Sequence, residues 1–293
     1  MTKKTILSDT RELWAEQRGG ATFEGSAARV NVKIRNDYDA KLKALAKRMA
    51  KDYERQIKKT FSEEVEGKAF DSLSGQIGIT LNELKTKWGG IFNKFSNIEA
   101  KKFISRLNKN VTLSAHNSLR ELTKKTTIKT PDYTPEMQDL LRASIKQNVS
   151  LIKSIGEDYH NQVESLVFRS ITTGGAGAGG IGKAIKANMA MMASISDYGF
   201  KAGNRASFIA QDQTSKLTSA FNGARMQSVG VEEFKWLHSK GGAEPRELHL
   251  KYDGQIFRYD DPPVIDERTG ERGLPGVAAR CRCVAVPIVK IGS

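Results

Sequence analysis

Cys281 and Cys283 stand with one residue between them in the stretch RCRCVAVP, residues 280–287, and they are the chain's 2 cysteines. A disulfide closed across a single residue would form a small strained ring, so the pair reads as thiols or as metal ligands. His238, His249 and Asp253 fall in the same carboxyl-terminal region. Imidazole nitrogen and thiolate sulfur are the donors that tetrahedral zinc takes, and a small loop-rich module gains stability from being tied by such an ion. On a strand, Cys281 and Cys283 would point to one face and converge on a shared ion. The candidate ligands are therefore His249, Cys281, Cys283 and Asp253, with structural zinc as the one candidate cofactor. Common zinc patterns separate paired cysteines by two to four residues, and an aspartate suits a structural site less well than a fourth His or Cys. The competing reading is a pair of buried thiols hydrogen-bonded to histidine.

Catalysis has weaker support. A Cys–His nucleophilic pair can be drawn between either cysteine and His249. No helix start or nucleophile elbow lies near the cysteines to activate a thiol. The H-x-E with P-C-x-x-C signature of zinc deaminases is absent. Asp260–Asp261 and Asp266–Glu267 sit in a proline-rich loop and read as solvated charges. No catalytic residue is assigned, and the chain is read as a non-enzyme. The glycine-rich run GGAGAGGIGK, 174–183, formally holds G-x-G-x-x-G at Gly175, Gly177 and Gly180, and nearly matches a phosphate loop ending at Lys183. Ala184 stands where that loop needs Ser or Thr, and the preceding segment reads as helix, whereas both motifs need an entering strand. It is read as a helix–helix loop, followed by a short helix from Ile181.

The elements that would position these residues are mostly helical. Residues 1–30 show no period and read as a flexible arm. Tyr38, Leu42, Leu45, Met49, Tyr53, Ile57, Phe61 and Val65 recur at steps of three or four, which places them on one helical face. WGG at 88–90 reads as a break, and a second helix is expected from about Asn97 to Lys124. In TTIKTPDYTPEM, 126–137, a linker ends with Thr134 placed to cap a helix and Pro135 at its first position. That helix continues through Tyr159 and Val163 to about Thr172. Another is expected from about Gly199 to Gln227, closed by Gly230. Beyond it the texture is strand-like at 231–237, 254–259 and 283–289, with Pro287 favouring an edge or a strand end. The expected fold class is α+β: a mainly helical body with long helices and a small carboxyl-terminal module with a short β-sheet. The expected division is an arm at 1–30, a basic long-helix region at 31–130, a helical segment with the glycine-rich loop at 131–198, and the α+β module at 199–293.

Charge points to a polyanionic partner. The net charge is +14. Residues 1–150 hold 29 Lys+Arg against 18 Asp+Glu, or +11, which leaves +3 for the rest. Nucleic acid is the first candidate for such a surface. Interleaved acids allow the plainer reading of a solvated helix surface. The opening MTKKTILSDTREL has no apolar run after its lysines, so no secretory leader is expected. No stretch approaches the roughly 20 apolar residues of a membrane span.

The ordered set of carboxyl-terminal residues resembles the phage head-morphogenesis family of Mu-F-like minor head proteins. The matching positions are Ala210, Thr214, Ala220, Asn222 and Arg225 on a helix, and Trp236 on the following strand. Arg246, His249, Asp253 and Gly254 come next, then Pro275 and Gly276, and finally Cys281 and Cys283. The likeness covers about residues 140–290, and the first 135 residues carry none. Asp212 stands before the threonine, where the family usually has its acid just after or near it, and the loop at 259–274 is long and charged. The resemblance implies a non-catalytic virion protein, built into the immature head in the host cytoplasm and associated with the portal or the inner capsid, some members binding DNA. The alternative is a nucleic-acid-processing enzyme or toxin-like effector using His249, Asp253 and the cysteines as a metal site.

Overall fold

The computed structural model describes residues 22–65, 73–123, 134–173, 180–240 and 245–290. Four long helices come first in the body: α1 (Val32–Val65), α2 (Leu73–Thr123), α3 (Pro135–Thr173) and α4 (Gly180–Ser228). The other elements are β1 (Thr22–Glu24), which precedes them in the chain, and β2 (Glu233–Leu237), α5 (Glu247–Lys251), β3 (Ile256–Arg258), β4 (Val264–Asp266), β5 (Glu271–Arg272) and β6 (Val284–Lys290), which follow. The α+β class with a mainly helical body is as expected. By contacts the chain divides into two compact units that are not consecutive in sequence. Asn36–Lys101 and Lys146–Ala210 form a helical unit, and the residues up to Arg35, Lys102–Ile145 and Gln211–Ser293 form a sheet-bearing unit.

Helix boundaries are set by their caps. Asn31 Oδ1 accepts the Ile34 N–H at 3.1 Å and opens α1. Thr134 Oγ1 accepts the Met137 N–H at 3.2 Å, and Pro135 occupies the first turn of α3, as expected. At the end of α4, Gly230 has φ +89°. The Val231 N–H reaches back to the Met226 carbonyl and the Gly230 N–H to that of Gln227, the paired bonds of a Schellman close.

In the helical unit, Tyr38, Leu42, Leu45, Met49, Tyr53 and Ile57 are all buried, so the period of α1 is its core face. Ile77, Leu81, Leu84, Trp88 and Phe92 of α2 are buried in the same spacing. That spacing explains why WGG does not break the helix. Trp88 faces inward, while Gly89 and Gly90 are exposed, with open space where a Cβ would be. Two solvent-side glycines cost a helix about 1 kcal/mol each, which burial of Trp88 and Phe92 exceeds. Polar groups in this core are matched. Tyr38 Oη donates to Asn148 Oδ1 at 3.1 Å, and Tyr53 Oη lies 3.0 Å from His160 Nδ1. Asp52 accepts from Lys87 Nζ (2.6 Å), Trp88 Nε1 (2.9 Å) and Arg55 Nη2 (2.6 Å). Burial works to raise the Asp52 carboxyl, but those hydrogen bonds and the Lys87 charge outweigh it and hold it below its ordinary value.

In the sheet-bearing unit the strand order is β1-β6-β2-β3, all antiparallel, and β4 pairs with β5 separately. Residues 1–21 of the expected arm lie outside the described residues, but Thr22–Glu24 is a strand rather than irregular chain. Phe23 stands opposite Val289 and packs on the core. Pro287 is a second correction, because β6 is an inner strand. Its carbonyl accepts the Gly25 N–H at 2.9 Å, so its missing donor faces the chain just past the end of β1. The glycine-rich residues 174–179 lie outside the described residues. The segment before them is helix, and the chain beyond them is one helix of 49 residues in place of the two expected pieces.

Gly89→Ala with Gly90→Ala should raise the denaturation midpoint, by about 1–2 kcal/mol together. Asp52→Ala should cost about 1–3 kcal/mol by stranding the Trp88 indole N–H. Because the folded carboxyl is held low, the Asp52 contribution is present above its ordinary value of 3.8 and is lost as pH falls below it. Urea titrations of wild type and Asp52→Ala across that range should therefore converge at the acid end.

Candidate metal centre

Strand β2 and helix α5 bring the site together. Trp236 is fully buried on β2, with ring centroids 5.1 Å from His249, 5.3 Å from Tyr252 and 6.3 Å from Phe257, all edge-on. The indole thus walls one side of the imidazole. After α5 the chain is stapled back to β2. Asp253 Oδ1 accepts the His238 N–H at 2.8 Å, and the Gly254 N–H donates to the Trp236 carbonyl at 2.8 Å. Gly254 takes φ +82°, which a side chain would strain. The Asp-Gly pair is a turn that fixes where α5 meets the strand.

The cysteines arrive from the other side. Arg246 Nη2 donates to the Ala279 carbonyl at 3.1 Å, tying the start of α5 to the turn closed by Cys281 N–H and Ala278 C=O at 2.9 Å. Pro275 and Gly276 precede that turn. A Cβ on Gly276, at φ +91°, would sit 3.2 Å from the Cys283 carbonyl oxygen and 3.5 Å from that of Ser215. The loop therefore closes on Cys283 only because residue 276 has no side chain. Cys281 and Cys283 lie just ahead of β6 rather than within it, since the strand starts at Val284.

His249 is 2% exposed, Cys281 5% and Cys283 4%. His249 Nε2 lies 3.1 Å from the Ile265 carbonyl. A carbonyl only accepts, so Nε2 carries the proton and Nδ1 presents its lone pair. Nδ1 stands 3.4 Å from Cys281 Sγ and 3.9 Å from Cys283 Sγ. The three donor atoms all lie within 4.8 Å of one another. A tetrahedral zinc with Zn–S of about 2.3 Å and Zn–N of about 2.0–2.1 Å sets its N···S separations at about 3.6 Å. The observed pair brackets that value, and the imidazole is already oriented by a carbonyl on its far nitrogen, the usual second contact of a metal-bound histidine. The cluster can thus coordinate a metal ion. The same spacing serves a thiol hydrogen bond to Nδ1. The hydrogen bond from Cys283 pulls the Cys281 thiol down, against its burial, while that bond and burial push Cys283 up.

Of the four expected ligands the structure unites His249, Cys281 and Cys283, and it places Asp253 on the His238 backbone instead. His238 is buried, with Nδ1 accepting the Lys240 N–H at 3.1 Å. On α4, Arg225 is buried and donates to Asn108 Oδ1 at 3.0 Å, and Thr214 and Asn222 are buried as well. Sequence reasoning missed the Ile265 carbonyl, because any residue type supplies a backbone oxygen. The Arg246 contact had one signal, its place three residues before His249.

Residues 161–286 match the family model described as "Phage Mu protein F like protein". An uncharacterized protein of Haemophilus influenzae is 34% identical over 155 residues, which is 53% of this chain and 31% of that protein. The chain thus spans about a third of the length of the relative it matches. No solved structure matches the chain. The matched range contains β2, α5 and both cysteines, so the homology and the cluster coincide.

Purified chain reconstituted with zinc is expected to hold one ion, read by elemental analysis and by competition with a chromophoric chelator. His249→Ala and Cys281→Ser should each weaken uptake at least about tenfold. Asp253→Ala should leave uptake unchanged while costing about 1–2 kcal/mol through the lost bond to His238.

Proposed function

We propose that this chain is a minor head protein of a tailed phage, acting in assembly of the immature head by docking on the portal or the inner capsid, with double-stranded DNA as a second partner. The homology of residues 161–286 to the Mu-F-like family carries this reading. The character of the candidate site supports it. The residues that carry the family resemblance are used as braces: Asp253 and Gly254 on β2, Arg246 on the cysteine turn, Gly276 against Cys283. A small module tied in this way makes a rigid docking unit. The virion, and the host cytoplasm during assembly, are the places such a protein works. Among the described residues no helix is long and apolar enough to cross a membrane. The excess of basic residues before position 150 supports DNA as a partner, through phosphate contacts that release counterions.

A second reading rests on one observation. Three protein donors leave a fourth tetrahedral position, the arrangement that catalytic zinc uses. In that reading the chain is a nucleic-acid-processing enzyme or an effector. Asp253, which that reading counted in the metal site, accepts the His238 N–H.

Co-expression with phage portal and major capsid proteins tests the first reading. The chain should sediment with immature heads, and Cys281→Ala with Cys283→Ala should lower its incorporation severalfold. A chain absent from heads, with zinc-dependent cleavage of DNA by the wild type, would establish the second reading instead. DNA affinity measured from low to moderate salt should fall steeply, and a flat response would remove the electrostatic partner.

A further inference from the structure

The sheet-bearing unit contains a cavity of about 260 Å³ whose wall includes Arg29, Arg35 and Arg282 and, among the described residues, no acidic side chain. Ser215, Ser219 and Asn222 complete its polar side. They recur at four and three residues along α4, so one helical face presents them together. Ser215 and Asn222 are buried, and Ser219 Oγ is buried without a hydrogen-bond partner among the described residues. A buried hydroxyl left in that state costs stability unless something completes it. The arginines come from the chain ahead of α1, from its first turn, and from the residue between the two cysteines. Arginines from the start of α1 and from the cysteine segment, lining one cavity with buried serines, are a donor set suited to an oxyanion.

We propose that this cavity binds a phosphate group, carried by a nucleic-acid backbone or by a free phosphate anion. Guanidinium groups present forked donors that match phosphate oxygens, and serine hydroxyls and the Asn222 amide add neutral donors. The volume lies just below the roughly 300 Å³ at which sites for larger organic ligands begin, which suits one compact anionic group. Arg282 gives the cavity its link to the cysteine segment: Cys281 and Cys283 meet the imidazole, and the residue between them lines the cavity. The site is independent of the head-assembly reading, since an oxyanion can occupy it whatever the chain docks on.

The test uses the whole chain with orthophosphate, at ionic strength matched with sodium chloride. Orthophosphate should raise the Tm of wild type, on the order of 3–5 °C at saturation. Arg29→Gln and Arg282→Gln, both exposed positions whose substitution leaves the core intact, should lose most of that rise. Arg268→Gln, in the β4–β5 turn away from the cavity, should keep it. A short DNA duplex read by fluorescence anisotropy separates the two sources. Weakening of roughly tenfold in Arg29→Gln and Arg282→Gln, with orthophosphate as competitor, identifies the nucleic-acid backbone. Duplex binding indifferent to those variants, with the orthophosphate response retained, identifies a free phosphate. An equal rise in wild type and in both cavity variants is the general salting effect of phosphate, and with duplex binding unchanged it overturns the proposal.

Discussion

The sheet-bearing unit depends on the orientation of one buried imidazole. His249 is shut away from water, so each ring nitrogen must find a partner inside the fold. Nε2 donates to the Ile265 carbonyl, and Nδ1 stands open to the sulfurs of Cys281 and Cys283. This fixes the tautomer, and with it the distance between α5 and the approach to β6. Trp236 packs edge-on against the ring, and Tyr252 and Phe257 pack edge-on against the indole in turn, so the imidazole is not free to rotate. The contact adds to a buried apolar cluster that includes Trp236, Phe234, Ile265 and both cysteines.

The pieces around the imidazole share one logic. Each is a polar bond or a close backbone approach across a long sequence separation that holds a loop at a set distance. Asp253 holds the end of β2, Arg246 holds the turn before Cys281, and Gly276 permits the approach of backbone to backbone. Such bonds contribute about 1 kcal/mol each, too little alone to order a loop but enough in concert. In the helical unit the same service falls to repeated burial, with Asp52, Tyr38 and Tyr53 filling the polar vacancies between apolar faces.

How much of this was legible depended on whether the signal was local. The core face of α1 from Tyr38 to Ile57 could be read from spacing, as could the Thr134 cap and the Gly230 close, because each is set within a few residues. Gly89 and Gly90 misled because propensity is a weak term, and the burial of Trp88 and Phe92 beside them decides the helix. α4 was read as two pieces, from Ile181 and from about Gly199, because the glycines and methionines between them carry little period. Pro287 misled because its lost donor faces a neighbour that ends first, which no reading of one strand reveals. His249 with both cysteines was legible from donor chemistry. Asp253 was misassigned because a carboxylate beside a histidine is equally a ligand or a backbone acceptor until the loop's path is known. Arg282 lies most of the chain's length from Arg29 and Arg35, so the cavity they line together left no local sign.

The pairing of β1 with β6 has a bearing on how the molecule forms. Thr22 stands opposite Lys290 and Phe23 opposite Val289, so the sheet joins segments separated by nearly the whole described sequence. Contacts of that reach are entropically late, and they come after the local pairing of helices made from α1 to α4. During synthesis β1 emerges early and waits for β6, while the edge of β2 stands bare of its partner. The sheet is therefore a step of closure rather than a seed, and β1, first out of the ribosome among these elements, is among the last to pair.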